Sequence, residues 1–153
     1  MNRFEFRLQK VMEWREKELE VEEARLKQRS VEVQELDRAY AALKSAEAGA
    51  ENELRGSTAI RGQDLAALAG YRRWAQAHAR QLTAERAEAS DRLAAQQQIM
   101  LEARRRCRLL ERLRERRLAA WQAAENKERE EIAAESHLSR RAAMVSQGGR
   151  HRR

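Results

Sequence analysis

Eight arginines fall between Arg104 and Arg117, opposed within that stretch only by Glu111 and Glu115. Guanidinium groups at this density attract acidic protein surfaces, nucleic acid or anionic lipid; the plainer reading is a solvated face of a long helix. Wound on a helix, Arg104, Arg105, Arg106, Arg108, Arg112, Arg114, Arg116 and Arg117 point around most of the circumference. That arrangement makes a collar of charge rather than a stripe tracking a phosphate backbone. A single-strand binder would also place aromatic rings among the cations for base stacking, and only Trp121 lies nearby.

No other set of residues has spacing suited to catalysis. His78, His137 and His151 are far apart, and no His or Cys stands at metal-ligand spacing from another. The glycines are not followed by Lys and Ser or Thr in a phosphate-cradling loop, and the many carboxylates alternate with cations as solvated helix residues do. A non-enzymatic protein with no cofactor is expected. The single cysteine, Cys107, allows no intramolecular disulfide and suits a reducing compartment, where it would act as a small hydrophobe. No N-terminal run resembles a signal peptide and no stretch is apolar enough to span a bilayer, so a soluble cytoplasmic protein is expected.

The elements that must carry these residues are helices. The 153 residues include no proline, 5% are aromatic and 37% are charged. Alanine, glutamate, arginine and leucine dominate, and β-branched residues are too few for a sheet. From Tyr71 to Met144 no glycine interrupts the chain, and Ala79, Leu82, Ala89, Leu93, Met100, Ala103, Cys107 and Leu110 recur at heptad spacing, with Arg86 and Gln96 as polar interruptions. At ~1.5 Å per residue such a helix would run roughly 100 Å and needs a partner along its side. The N-terminal third supplies one in a row spaced by sevens, namely Met12, Leu19, Leu26, Val33, Tyr40, Glu47 and Leu54. A companion row comprises Leu8, Arg15, Glu22, Arg29, Leu36, Leu43 and Ala50, so its first half is charged and the seam reads well only from Val33 onward.

The reversal is expected among Gly49, Gly56, Gly62 and Gly70, since glycine weakens helices and permits turns. The expected architecture is therefore all-α, a long antiparallel two-helix coiled-coil hairpin. A helix over 4–55 joins a helix over 71–144 through a glycine-rich connection at 56–70 that includes a turn or short helix. Residues 1–147 would be one domain, and 148–153 a disordered basic tail. Charge divides unevenly between the halves, −2 over residues 1–55 and +9 over 56–153. At the N-terminus Phe4, Phe6, Leu8, Val11, Met12 and Trp14 lie nearly all round a helix end, either capping the second helix or entering a partner. With this reversal Trp121 would lie near Phe4 and Leu8, and beyond Ala124 the second helix would project past the first. Tyr71 and Trp74, beside the turn, would either pack it shut, the favoured reading, or form an exposed docking patch.

Two stretches carry a resemblance to a known family. The opening, Phe4-Glu5-Phe6-Arg7-Leu8-Gln9-Lys10-Val11-Met12-Glu13-Trp14-Arg15-Glu16-Lys17, resembles the start of the FliJ family, whose members often begin F-x-F-x-L-x-x-V-L-x-x-R-E-x; Met12 stands where leucine is usual. The second, Leu109-Leu110-Glu111-Arg112-Leu113-Arg114-Glu115-Arg116-Arg117-Leu118, followed by Trp121 and the acidic run from Glu125 to Glu131, is similar to the family's L-E-K-L-K-E-R-R segment. Chain length, the glycine-broken connection and the Tyr71/Trp74 pair also fit.

The resemblance implies a central stalk and general chaperone of the bacterial flagellar type III export apparatus, with a fold like the antiparallel coiled coil of the rotary ATP synthase gamma subunit. Its implied partners are the hexameric export ATPase, the cytoplasmic domain of the export gate and export chaperones, with no small-molecule substrate. Its place would be cytoplasmic and peripheral at the inner-membrane export machinery. On this reading Phe4, Leu8, Val11, Arg112, Arg116 and Trp121 would contact the ATPase ring, and Tyr71, Trp74 and His78 the gate. Two alternatives stand beside it: a nucleic-acid-binding hairpin using the Arg104–Arg117 collar, and the equivalent stalk of a virulence injectisome.

Overall fold

The computed structural model describes residues 3–148, and the disordered tail expected at 148–153 lies outside them beyond Gly148. Two helices account for nearly all of these residues, α1 (Gln9–Gly56) and α2 (Gly62–Gly148), packed against each other as a hairpin. No strand occurs among the described residues, and none of their helices is long and apolar enough to cross a membrane.

One compact unit spans residues 15–105. Its cross-helix contacts run in opposite directions along the two chains: Glu51 receives a hydrogen bond from Arg72, Asp37 from Arg86 and Glu22 from Gln96. The helices are therefore antiparallel. The core sits in the heptad seam, with Leu43, Ala75, Ala79 and Leu82 buried together and Leu36 packed against them. Ala75 is fully covered, one step before the expected start of the seam, and Ala89, Met100 and Ala103 continue it. Small residues on α2 opposite leucines on α1 let the helices approach without a gap.

Before Val33 the seam continues, although its companion row is charged. Arg15 donates to Glu18 (2.7 Å), Arg25 to Glu22 (2.8 Å) and Arg29 to Glu32 (3.1 Å), each within one turn of α1. Gln96 reaches across to the Glu22 carboxylate (2.5 Å) and its backbone carbonyl (3.3 Å). A polar group is tolerated in a seam when its hydrogen bonds are made. Among the described residues no buried side-chain nitrogen or oxygen lacks a partner. Such layers cost some stability and pin the register.

The connection is much shorter than the expected 56–70, because residues 62–70 are already helical and only 57–61 lie between the helices. Asp64 decides the start of α2. Its Oδ2 accepts the Arg61 backbone N–H (3.0 Å), as the acidic half of a capping box does, and a carboxylate there favours the positive helix end. Ser57 closes α1 through its N–H to the Leu54 carbonyl (3.3 Å), and its hydroxyl donates to the Ala59 carbonyl (3.2 Å). Gly49 and Gly70 are helical, and no described glycine has a positive φ. One glycine costs a helix only ~1 kcal/mol, which the alanines and leucines around Gly70 offset. A Cβ at Gly70 would meet nothing within 4 Å. Gly70→Ala should therefore raise stability by about 0.5–1 kcal/mol in denaturant titration; a loss would show that the backbone freedom is needed.

The other unit comprises residues 1–14 with 106–153. Here the expected helix over 4–55 is corrected at its start: α1 begins at Gln9, preceded by an irregular segment and a turn at Arg7–Leu8. The Gln9 N–H donates to the Phe6 carbonyl (3.0 Å), and the Met12 N–H to that of Leu8 (2.9 Å). The physical reason lies in the alternation F-x-F. A helix turns two such residues about 200° apart, whereas extended backbone puts both on one face. Phe4 and Phe6 are partly buried while Glu5 and Arg7 are exposed. On α2 of this unit Cys107 is buried, Trp121 and Glu125 are partly covered, and every described side chain over 126–145 is exposed.

Candidate functional site

The irregular segment lays Phe4 against Trp121, with ring centroids 6.0 Å apart at 56°. Tilted rings at that distance attract beyond their buried area. Around the pair lies an open groove of about 740 Å³, floored by Phe4, Phe6, Leu8, Leu113 and Trp121 and edged by Arg3, Arg7 and Arg117, with Glu5 as its only acid. Leu113, Arg117 and Trp121 follow at steps of four along α2, so one helix face supplies a wall of alternating apolar and cationic character.

Of the residues expected at a ring contact, Phe4, Leu8 and Trp121 meet at this groove. Val11 is 43% exposed on α1 and does not line it. Arg112 and Arg116 also lie outside the lining, exposed on other faces of α2. Arg117 and Leu113 take the places at the wall, and Arg114 edges a smaller adjoining hollow with Phe4 and Phe6. The step-of-four spacing back from Trp121 was the sequence signal for them.

The arginines of the collar divide by partner. Arg104 bonds Glu23 across the helices (2.9 Å), so Glu23 serves the interface, and Arg105 lies 3.8 Å from Glu102. Arg108, Arg112, Arg114, Arg116 and Arg117 are exposed with no ion-pair partner among the described residues. Five arginines against Glu111 and Glu115 within three turns leave a net positive field, steep in salt dependence because the side chains are exposed. The Arg86 guanidinium is raised above its ordinary value by its hydrogen bond to Asp37 and then by that carboxylate's charge. A raised basic group contributes stability fully below its unfolded pKa and loses it only as pH rises through the folded one. For an arginine that window is strongly alkaline, so this pair gives no pH dependence near neutrality.

Tyr71, Trp74 and His78 form a second surface, in the unit spanning 15–105. Their rings stack in a ladder along α2, 5.6 Å from Tyr71 to Trp74 and 5.3 Å from Trp74 to His78. Trp74 is 55% exposed, which corrects the expectation that it packs the turn shut. The connection is closed by its own backbone and by Asp64, so the indole is left to stack on its helix neighbours. Trp74→Ala should leave helix content and thermal stability within about 0.5 kcal/mol of the parent, as exposed sites do; unfolding of the variant would return the ring to a packing role. Among the described residues no group of three His, Cys, Asp or Glu could hold a metal.

Compared with known proteins, the chain matches no family model, no curated protein and no solved structure.

Proposed function

We propose that this protein is a non-enzymatic stalk and general chaperone of the flagellar type III export apparatus, entering the hexameric export ATPase and linking it to the cytoplasmic domain of the export gate. The observation that carries the reading is the meeting of its two motif-bearing stretches. The opening F-x-F-x-L segment and the Leu109–Trp121 segment come together where Phe4 rests on Trp121, 117 positions away in sequence. In this proposal that end seats in the ring: the groove receives apolar side chains of the lumen, and Arg112 and Arg116 meet its acidic loops. Charges of this kind give orientation and fast encounter more than raw affinity. Tyr71, Trp74 and His78 are the proposed gate surface, the exposed indole being suited to a flat apolar contact. The protein would work in the cytoplasm, peripheral to the inner membrane, and would also meet export chaperones there.

The deciding experiment is capture of a hexameric export ATPase by this chain, with ATP turnover measured in its presence and absence. Stimulated turnover supports the reading, and unchanged turnover without capture overturns it. The injectisome alternative is separated by repeating the assay with an injectisome ATPase. The five unpaired arginines keep the nucleic-acid alternative in view, and binding to nucleic acid that survives physiological salt would favour it.

A further inference from the structure

We infer that the Phe4/Trp121 groove takes an amphipathic helix of a partner protein, apolar along one stripe and acidic on both sides of it. The shape follows from where α1 begins. Residues 3–6 are irregular and α1 starts only at Gln9, so beside Trp121 a slim segment lies where a second helix would otherwise run. What it leaves open is the groove of about 740 Å³, walled on α2 by Leu113, Arg117 and Trp121 at steps of four. A ridge of that spacing receives the side chains of another helix laid along it. Two turns of α2 accept anchors at i, i+3 or i+4, and i+7.

The chemistry follows from the lining. Phe4, Phe6, Leu113 and Trp121 are only partly covered by their own chain, so apolar anchors laid on them bury surface on both sides. Around that floor Arg3, Arg7 and Arg117 are exposed without an ion-pair partner among the described residues, and so is Arg114 at the adjoining hollow. Glu5 is the one acid of the rim. Guanidinium forks match carboxylates in pairs of hydrogen bonds, so acidic flanks are held and basic ones repelled. Arg150, Arg152 and Arg153 at the end of this chain carry the rim's own sign and make a poor occupant. Single-stranded nucleic acid has the right sign, but its bases need open ring faces. Here Phe4 is turned against Trp121, and two leucines share the floor.

The acidic helix rests on the export reading for the use of this groove, and it gives the apolar side chains received there a carrier of stated shape and charge.

Titration of the full chain with cross-linked helical peptides of ~18 residues tests it, each with the same leucine stripe and with glutamate, glutamine or lysine beside it. Trp14→Phe with Trp74→Phe, at two indoles more than half exposed, leaves Trp121 as the sole reporter. The glutamate peptide should shift its emission to the blue and bind at least ~10-fold tighter than the glutamine peptide, and the lysine peptide should not bind. Arg7→Glu with Arg117→Glu should reverse the preference, taking the lysine peptide and refusing the glutamate one, which a misfolded variant would not do. Equal binding of the three peptides, or binding of none, overturns the proposal. So does a stronger response to a single-stranded oligonucleotide or to phosphatidylglycerol vesicles, or a shift on concentrating the chain alone, which would make a second copy the occupant. Capture of the export ATPase with no peptide bound sinks the acidic helix alone, whereas peptide binding without capture sinks only the export reading.

Discussion

Arg112→Glu combined with Arg116→Glu should abolish stimulation of the export ATPase while leaving helix content unchanged. Both side chains are exposed, and neither has an ion-pair partner among the described residues, so the fold loses no contact. Glutamate and arginine have nearly equal helix propensity, and the new like-charged neighbours, one turn apart, cost a few tenths of a kcal/mol. The external field changes far more, because each reversal removes one positive charge and adds a negative one. Acidic loops steered by the parent would be repelled, and a drop of at least ~10-fold in apparent affinity is expected. Circular dichroism checks the fold and turnover against concentration checks the loss. Stimulation equal to that of the parent would remove the collar from the mechanism and leave the groove alone to carry the contact.

The largest effect on stability is expected from Leu43→Ala. Leu43 is 8% exposed and packs with Ala75, Ala79 and Leu82 in a seam only one side chain deep. A leucine truncated in such a place loses its transfer free energy and leaves a void that alanines on the facing helix cannot fill. About 2–4 kcal/mol is the usual cost. For a unit of this size that lowers the melting temperature by roughly 10–25 °C. Leu65→Ala is the control, since Leu65 is 54% exposed and its truncation should change stability by less than about 0.5 kcal/mol. Equal effects at the two positions would mean that the seam is not where the hairpin is held together.

Between Ala79 and Leu110 the α2 seam was legible residue by residue, because a heptad pattern states both the element and the face it buries. Ala79, Leu82, Ala89, Met100, Ala103 and Cys107 are all buried, and the interruption at Gln96 is the polar layer with Glu22. The exposed surroundings of Arg86 on the same row come from its partner Asp37, which draws the guanidinium outward. Elsewhere local signals competed. Four glycines suggested a long connection, yet the helix-forming alanines and leucines around Gly70 offset the ~1 kcal/mol that it costs, and Asp64 starts the second helix early. The charged row of Arg15, Glu22 and Arg29 looked like a weak half of the coiled coil, but pairs one turn apart satisfy it in place.

What the amino-acid sequence determined by itself is the all-helical hairpin, the identity of the α2 seam and the nearness of Trp121 to Phe4, since periodicity and the position of a reversal suffice for all three. Tertiary structure alone decided how the candidate site is built. Only the packed chain shows that residues before Gln9 leave the helix so that Phe4 and Phe6 turn to one side, that Arg117 rather than Arg112 edges the groove, and that Trp74 stays in solvent. The reason is the range of the forces involved. A helix and its buried face follow from neighbours three and four residues away, whereas a groove and its exposed rings depend on groups a hundred residues apart that meet only once the helices have packed.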